Sequence, residues 1–101
     1  MILEYDGKVD FSSGKVVLWF SIPSCPPCRL VETFIEELAD EFKDIRIIHV
    51  NAEKWGELVE QFGILNVPTL VYLKDGREVG RQNLIRTKEE LLLKFEELHK
   101  I

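Results

Sequence analysis

The sequence predicts an α/β domain: a mixed central sheet of four to five strands flanked by helices on both faces. Three observations carry this. Strand-like apolar runs alternate with segments whose apolar residues recur at helical spacing. One run, Val16-Val17-Leu18-Trp19-Phe20, is apolar without interruption, as in a strand buried on both faces. Asp75-Gly76 separates two strand-like runs, which signals a hairpin and so an antiparallel pair within the sheet.

The elements follow in order. Ile2 to Tyr5 is a short extended piece, and a brief polar stretch with Gly7 and Gly14 leads to the Val16–Phe20 strand. Beyond it Val31, Phe34, Ile35, Leu38 and Phe42 keep helical period, with Glu32, Glu36, Glu37, Asp40 and Lys43 on the other face. A helix therefore runs from near Cys25 to about Phe42. Ile45 to Val50 is the next strand, and a helical crossover implies that it lies parallel to the previous one. Trp55, Leu58, Val59 and Phe62 mark a short amphipathic helix that Gly63 can end, with Trp19 and Trp55 both expected in the core. Thr69 to Lys74 and Arg77 to Asn83 are the arms of the hairpin. Thr87, with Glu90 three residues on, caps a last helix whose inner face is Leu91, Leu92, Phe95 and Leu98.

At 101 residues, one domain spanning 1–101 is expected, long enough to bury a core without staples. Hydrophobic residues make up 46% and charged residues 31%, the profile of a globular chain. The net charge of −5 excludes a basic stripe for nucleic acid and disfavours anionic membranes. No apolar run approaches the roughly 20 residues of a membrane span, and the first residues lack the order of a signal peptide, so a cytoplasmic protein is expected.

The chemistry concentrates in Trp19-Phe20-Ser21-Ile22-Pro23-Ser24-Cys25-Pro26-Pro27-Cys28-Arg29-Leu30, which holds both cysteines of the chain and three of its four prolines. A CxxC pair is either a redox couple or half of a metal site. A structural zinc needs four ligands, and the spare strong ones, His49 and His99, lie on different elements, so no metal is expected. The redox reading has its own physics. Cys25 sits at a helix start, where unpaired N–H groups and the positive dipole end favour a thiolate. Pro26 suits the first helical position. Cys28 lies one turn on, and Arg29 adds a cation. Cys25 is then the attacking thiol, and Cys28, expected to be the more buried, resolves the mixed disulfide. Pro26 and Pro27 also withhold two N–H donors from the Cys25 sulfur, leaving the Cys28 amide as its main backbone donor.

CxxC at the start of the first long helix, Val67-Pro68-Thr69 opening the strand before the hairpin, and the order of elements from Lys15 to about Leu98 together resemble the thioredoxin family. The resemblance implies a thioredoxin-like fold and a thiol–disulfide oxidoreductase that reduces protein disulfides through a redox-active Cys25–Cys28 disulfide, without another cofactor. It implies disulfide-containing protein substrates, a thioredoxin-reductase-type electron donor and a monomer. It also implies a cis Pro68 beside the cysteines, with the backbone of Val67 facing an extended substrate segment. Ile22, Pro23, Pro26, Val67 and Leu84 would form an apolar rim around Cys25.

The chain departs from the family in places. Ser24 stands where Trp is usual, Trp19 where a buried acid is, His49 where a lysine accompanies it, Thr33 where a proline kinks the helix, and Leu84 where a glycine is expected. Pro26-Pro27 replaces Gly-Pro. Trp19 in place of a carboxylate favours the thiolate, opposing the effect of the prolines. Pro27, Arg29, Trp19 and His49 are thus candidate tuning residues, His49 being either a proton shuttle to Cys28 or a half-buried structural residue. Two alternatives stand beside the reductase: a glutaredoxin-like or oxidase/isomerase-like protein of higher potential, and a non-enzymatic thiol domain for metal binding or docking.

Overall fold

A computed structural model describes residues 2–101. Strand β1 (Ile2–Glu4) is followed by β2 (Lys15–Ser21), helix α1 (Pro26–Glu41), β3 (Ile45–Asn51), α2 (Gly56–Phe62), β4 (Thr69–Lys74), β5 (Arg77–Asn83) and α3 (Lys88–Lys100). Every element expected from the sequence is present. The shifts are of one residue or so, at ends where strand pairing or a cap extends or shortens the element.

The five strands form one sheet in the order β1-β3-β2-β4-β5. Strand β3 runs parallel to β2, as the α1 crossover requires, and parallel to β1. Strand β4 is antiparallel to β2, and β5 to β4. Asp75 and Gly76 both take positive φ, 51° and 82°, the backbone of a tight hairpin turn whose twist matches that of the flanking strands.

Successive side chains of β2 go to opposite faces. Val17 and Trp19 pack with Val31, Ile35 and Leu38 of α1 and Leu91, Phe95 and Leu98 of α3. Val16, Leu18 and Phe20 pack with Leu58 of α2, Ile64 and Val71. Both faces of β2 are therefore covered, which is why its sequence is apolar without alternation. The segment between β1 and β2 contains no helix, and its Val9 and Phe11 pack, half-buried, against the second cluster. Trp19 is buried as expected, whereas Trp55 is only half-buried, its ring edge-on to Tyr5 at 4.9 Å. Trp55 occupies the N-cap position of the short helix α2 and packs, half-buried, against the second cluster.

The helix ends use the expected devices. Thr87 Oγ1 accepts from the Glu90 amide at 3.3 Å, and Glu90 Oε1 accepts from the Thr87 amide at 3.1 Å, a reciprocal cap of the kind worth about 1 kcal/mol. Gly63 closes α2 in the left-handed conformation. No helix among the described residues is long and apolar enough to cross a membrane.

Candidate active site

Strand β2 ends at Ser21, and a short loop of Ile22 to Ser24 delivers the chain to α1. Cys25 is the N-cap of that helix in extended backbone conformation, and Pro26 and Pro27 occupy the first two helical positions. Proline is tolerated there because those N–H groups have no intrahelical partner in any case. Cys25 and Cys28 are joined by a disulfide, with their Cα atoms 5.2 Å apart. The Cys28 amide donates to Cys25 Sγ at 3.2 Å, the backbone donor that remains once the two prolines have removed theirs. Cys25 is 7% exposed and Cys28 5%. The expected contrast in burial between the cysteines is therefore almost absent, because the helix start holds both sulfurs against the sheet.

The rim residues fall into two groups. Ile22, Pro23 and Arg29 line a cavity of about 420 Å³ together with Cys25 and Cys28. Val67, Pro68 and Leu84 line a separate groove of about 160 Å³ with Pro27, Asn66 and Ile85. Pro26 is exposed and lines neither. The Val67–Pro68 peptide is cis and Pro68 is buried, while Val67 is half-buried. Asn66 and Ile85 were not singled out in the sequence. They flank Val67 and Leu84 directly, and that adjacency was the available signal.

Leu84 is 74% exposed, with φ at 54°. That is left-handed backbone, which costs an L-residue with a side chain roughly 1–2 kcal/mol. The strain explains why glycine suits this place. Leu84→Gly is expected to raise stability by a few tenths to about 1 kcal/mol, since glycine relieves the strain but loses more chain entropy on folding. Denaturant midpoints of the two proteins test this, and a less stable glycine variant would show that Leu84 makes compensating contacts.

The wall of the larger cavity comes from the sheet. Trp19, Ser21, His49 and Glu4 belong to β2, β3 and β1, with Glu32 and Glu36 of α1 at its exposed margin. Strand register brings the sheet residues together: Trp19 pairs with His49, and His49 pairs with Glu4. The His49 ring lies 4.6 Å from that of Trp19. His49 Nδ1 is 2.7 Å from Glu4 Oε1, and His49 Nε2 is 2.5 Å from Ser21 Oγ. The Trp19 Nε1–H is buried and has no hydrogen-bond partner among the described residues. Indole nitrogen only donates, so Trp19 cannot take a proton from a thiol. Ser21 and Glu4 were missed in the sequence. Ser21 shares a face of β2 with Trp19 by strand alternation, but only the β1–β3 pairing places Glu4.

Among the described residues, no group of three or more His, Cys, Asp or Glu side chains is arranged to hold a metal ion. Chemically, a closed cysteine pair at a helix N-terminus with one amide on the Cys25 sulfur can accept two electrons and return them as a dithiol.

Comparison with known proteins agrees in scope. The family model described as Thioredoxin matches residues 3–97. A thioredoxin from Chlamydia muridarum is 33% identical over 92 residues, 90% of this chain and 90% of that protein. A thioredoxin from Bacillus subtilis is 33% identical over 85 residues, 83% and 82% of the two chains. Among solved structures, a mutant thioredoxin from Halobacterium salinarum superimposes with a TM-score of 0.88 over 99% of this chain and 92% of that one, at 23% identity. A thioredoxin from Nicotiana alata gives 0.82 over 95% and 90%, at 20% identity. At those identities the two structures speak for the fold.

Proposed function

The chain belongs to the thioredoxin family, and on that premise we propose how its residues divide the work. The protein is a thiol–disulfide oxidoreductase that reduces protein disulfides, with the Cys25–Cys28 disulfide as its redox-active group. Its substrates are disulfide-bearing proteins, and a reductase returns it to the dithiol. In the proposed division, the Cys25 thiolate attacks one sulfur of a substrate disulfide and the first substrate thiol leaves. Cys28 then attacks Cys25 Sγ, the second substrate thiol leaves, and the Cys25–Cys28 disulfide remains. Two electrons pass to the substrate in each turn.

The observation that carries this assignment is the amide of Cys28 aimed at Cys25 Sγ at the N-cap of α1. A charged acceptor gains most from such a donor, so the sulfur at the cap is the thiolate and the one inside the first turn is its resolver. Arg29 supplies a cation to the same cavity. The groove of Val67, Pro68 and Leu84 beside Pro27 is apolar and suits an extended substrate segment, with Ile22 and Pro23 of the separate cavity and the exposed Pro26 as further contacts in this proposal. Trp19 supports the thiolate by being uncharged where a carboxylate would oppose it. One domain over residues 1–101, acting as a cytoplasmic monomer, completes the reading. The unbroken five-stranded sheet supports its single-domain part.

Membership of the family favours the reductase over the oxidase or isomerase. A strongly oxidising couple has a stabilised reduced form. Pro26 and Pro27 withhold donors from the thiolate and Trp19 favours it, so the two act on the potential in opposite senses. With dithiothreitol as donor, the protein is expected to accelerate the reduction of insulin disulfides. Its potential, equilibrated against glutathione, is expected near the thioredoxin value of about −270 mV. A potential of about −180 mV or higher, in the isomerase and oxidase range, would reverse the assigned direction.

A further inference from the structure

We infer that Glu4, His49 and Ser21 form a proton-transfer chain serving the Cys25–Cys28 exchange, with His49 holding the proton and Glu4 and Ser21 as positioning residues. The inference deepens the function proposed above and rests on the roles given there to Cys25 and Cys28. Thiol–disulfide exchange needs more than two sulfurs. The Cys28 thiol must lose its proton before its sulfur can attack, and the departing substrate sulfur must gain one. The two cysteines are 7% and 5% exposed, and the cavity they line is their route to a proton acceptor. Pro26 and Pro27 have no N–H, and Trp19 is a donor only.

The charged and titratable groups facing the cavity are Glu4 of β1, His49 of β3, and Arg29, Glu32 and Glu36 of α1. A guanidinium does not give up its proton in proteins. Carboxylates hold a proton only in acid, whereas imidazole exchanges one near neutrality. His49 is also the group wired to its surroundings at both nitrogens. The Glu4 carboxylate at 2.7 Å can only accept, so Nδ1 carries the hydrogen. That leaves Nε2 to accept from the Ser21 hydroxyl at 2.5 Å. The Ser21 oxygen, 5% exposed as a residue and lining the same cavity as Cys28, keeps lone pairs for a further proton. The Trp19 ring, packed against His49 at 4.6 Å, holds the imidazole in this orientation.

The step balances. Ser21 and Cys28 share no hydrogen bond, so water in the cavity that both line takes the Cys28 S–H proton and gives one to Ser21 Oγ, while the Ser21 hydroxyl proton passes to His49 Nε2. The electron pair left on Cys28 forms the bond to Cys25 Sγ, and the bond between Cys25 and the substrate sulfur breaks. The substrate sulfur leaves with that pair, and the imidazolium, held by Glu4, returns the proton to it through Ser21 and the same cavity water. The electrons come from the dithiol and go to the substrate, and no other reagent is consumed. Reduction of the Cys25–Cys28 disulfide runs the same chain backwards.

The test is single-turnover reduction of a disulfide-linked peptide pair by the full-length dithiol protein. Formation of the mixed disulfide and release of the second thiol are timed separately from about pH 5.5 to about pH 9, across the imidazole range. In the unaltered protein the release step should show an inflection in that range. His49→Gln should lose the inflection, slow release about tenfold or more at neutral pH, and leave a rate that climbs tenfold per pH unit until the thiol itself ionises. Ser21→Ala should lose the same inflection with His49 still present. Glu4→Gln should keep the inflection and slow release less than His49→Gln does, since His49 remains but loses the carboxylate that orients its ring. Mixed-disulfide formation should be unchanged in all three. Should His49→Gln not fold, Ser21→Ala, which removes one oxygen, and Glu4→Gln, at an exposed carboxylate, decide the matter. Release profiles of His49→Gln and Ser21→Ala that parallel the unaltered protein, at full speed or uniformly slowed, overturn the relay. Failure of the underlying cysteine roles looks different: no mixed disulfide forms through Cys25 in any of these proteins.

Discussion

Cys28→Ser is expected to stop turnover at the mixed disulfide and to accumulate substrates joined covalently to Cys25, whereas Cys25→Ser should reduce no insulin disulfide and trap nothing. The physical basis is the asymmetry at the start of α1. Cys25 lies at the cap, where its sulfur accepts the Cys28 amide at 3.2 Å, and Cys28 lies inside the first turn. With burial nearly equal, the proposed roles rest on position in the helix and not on exposure. Each variant should lose essentially all catalytic disulfide reduction, since no other cysteine is present to substitute. The readout is insulin turbidity for turnover and a non-reducing gel for trapping. Trapping by Cys25→Ser but not by Cys28→Ser would reverse the assignment.

Phe95→Ala is expected to be the most damaging change away from the cysteines. Phe95 is fully buried on α3, edge-on to Tyr72 with centroids 5.8 Å apart and tilted against Phe42 at 5.7 Å. It joins α3 to β4 and to the end of α1. Truncating a buried phenylalanine costs about 3–5 kcal/mol, because apolar contact is lost and the cavity closes only in part. A domain of this size has about 5–15 kcal/mol in total. The urea midpoint should therefore fall steeply with little change in slope, and the melting temperature should drop by about 12 °C or more. Below the melting range the variant should still reduce insulin, since Phe95 belongs to neither cavity at the cysteines. A loss of under about 1 kcal/mol would mean that α3 contributes little to the cooperative core.

Much of this was legible in the sequence because it is local. The change from a continuous apolar run to helical period marks where β2 gives way to α1. Thr87 with Glu90, Gly63 and Asp75-Gly76 mark their own caps and turn, each through groups no more than a few residues apart. Cys25 and Cys28 are legible for the same reason: the helix start that takes one sulfur at its cap sets the other a turn away. Trp55 was harder to place, since its apolar period is that of a core helix but at the N-cap of α2 it is only half-buried.

By itself, the sequence determined the order of elements, the cysteine pair and the electrostatics of the helix start, because each depends on neighbours along the chain. Tertiary structure alone decided that the apolar rim divides between a cavity and a groove, and that Leu84 is held in left-handed backbone. It also decided that Glu4 and Ser21 meet at the two nitrogens of His49, across separations of 45 and 28 residues. The register of two parallel strand pairs makes that meeting, and a shift of one residue would turn the side chains of the shifted strand to the other face. Register is set by which faces the whole sheet buries, and no short stretch of this chain contains that information.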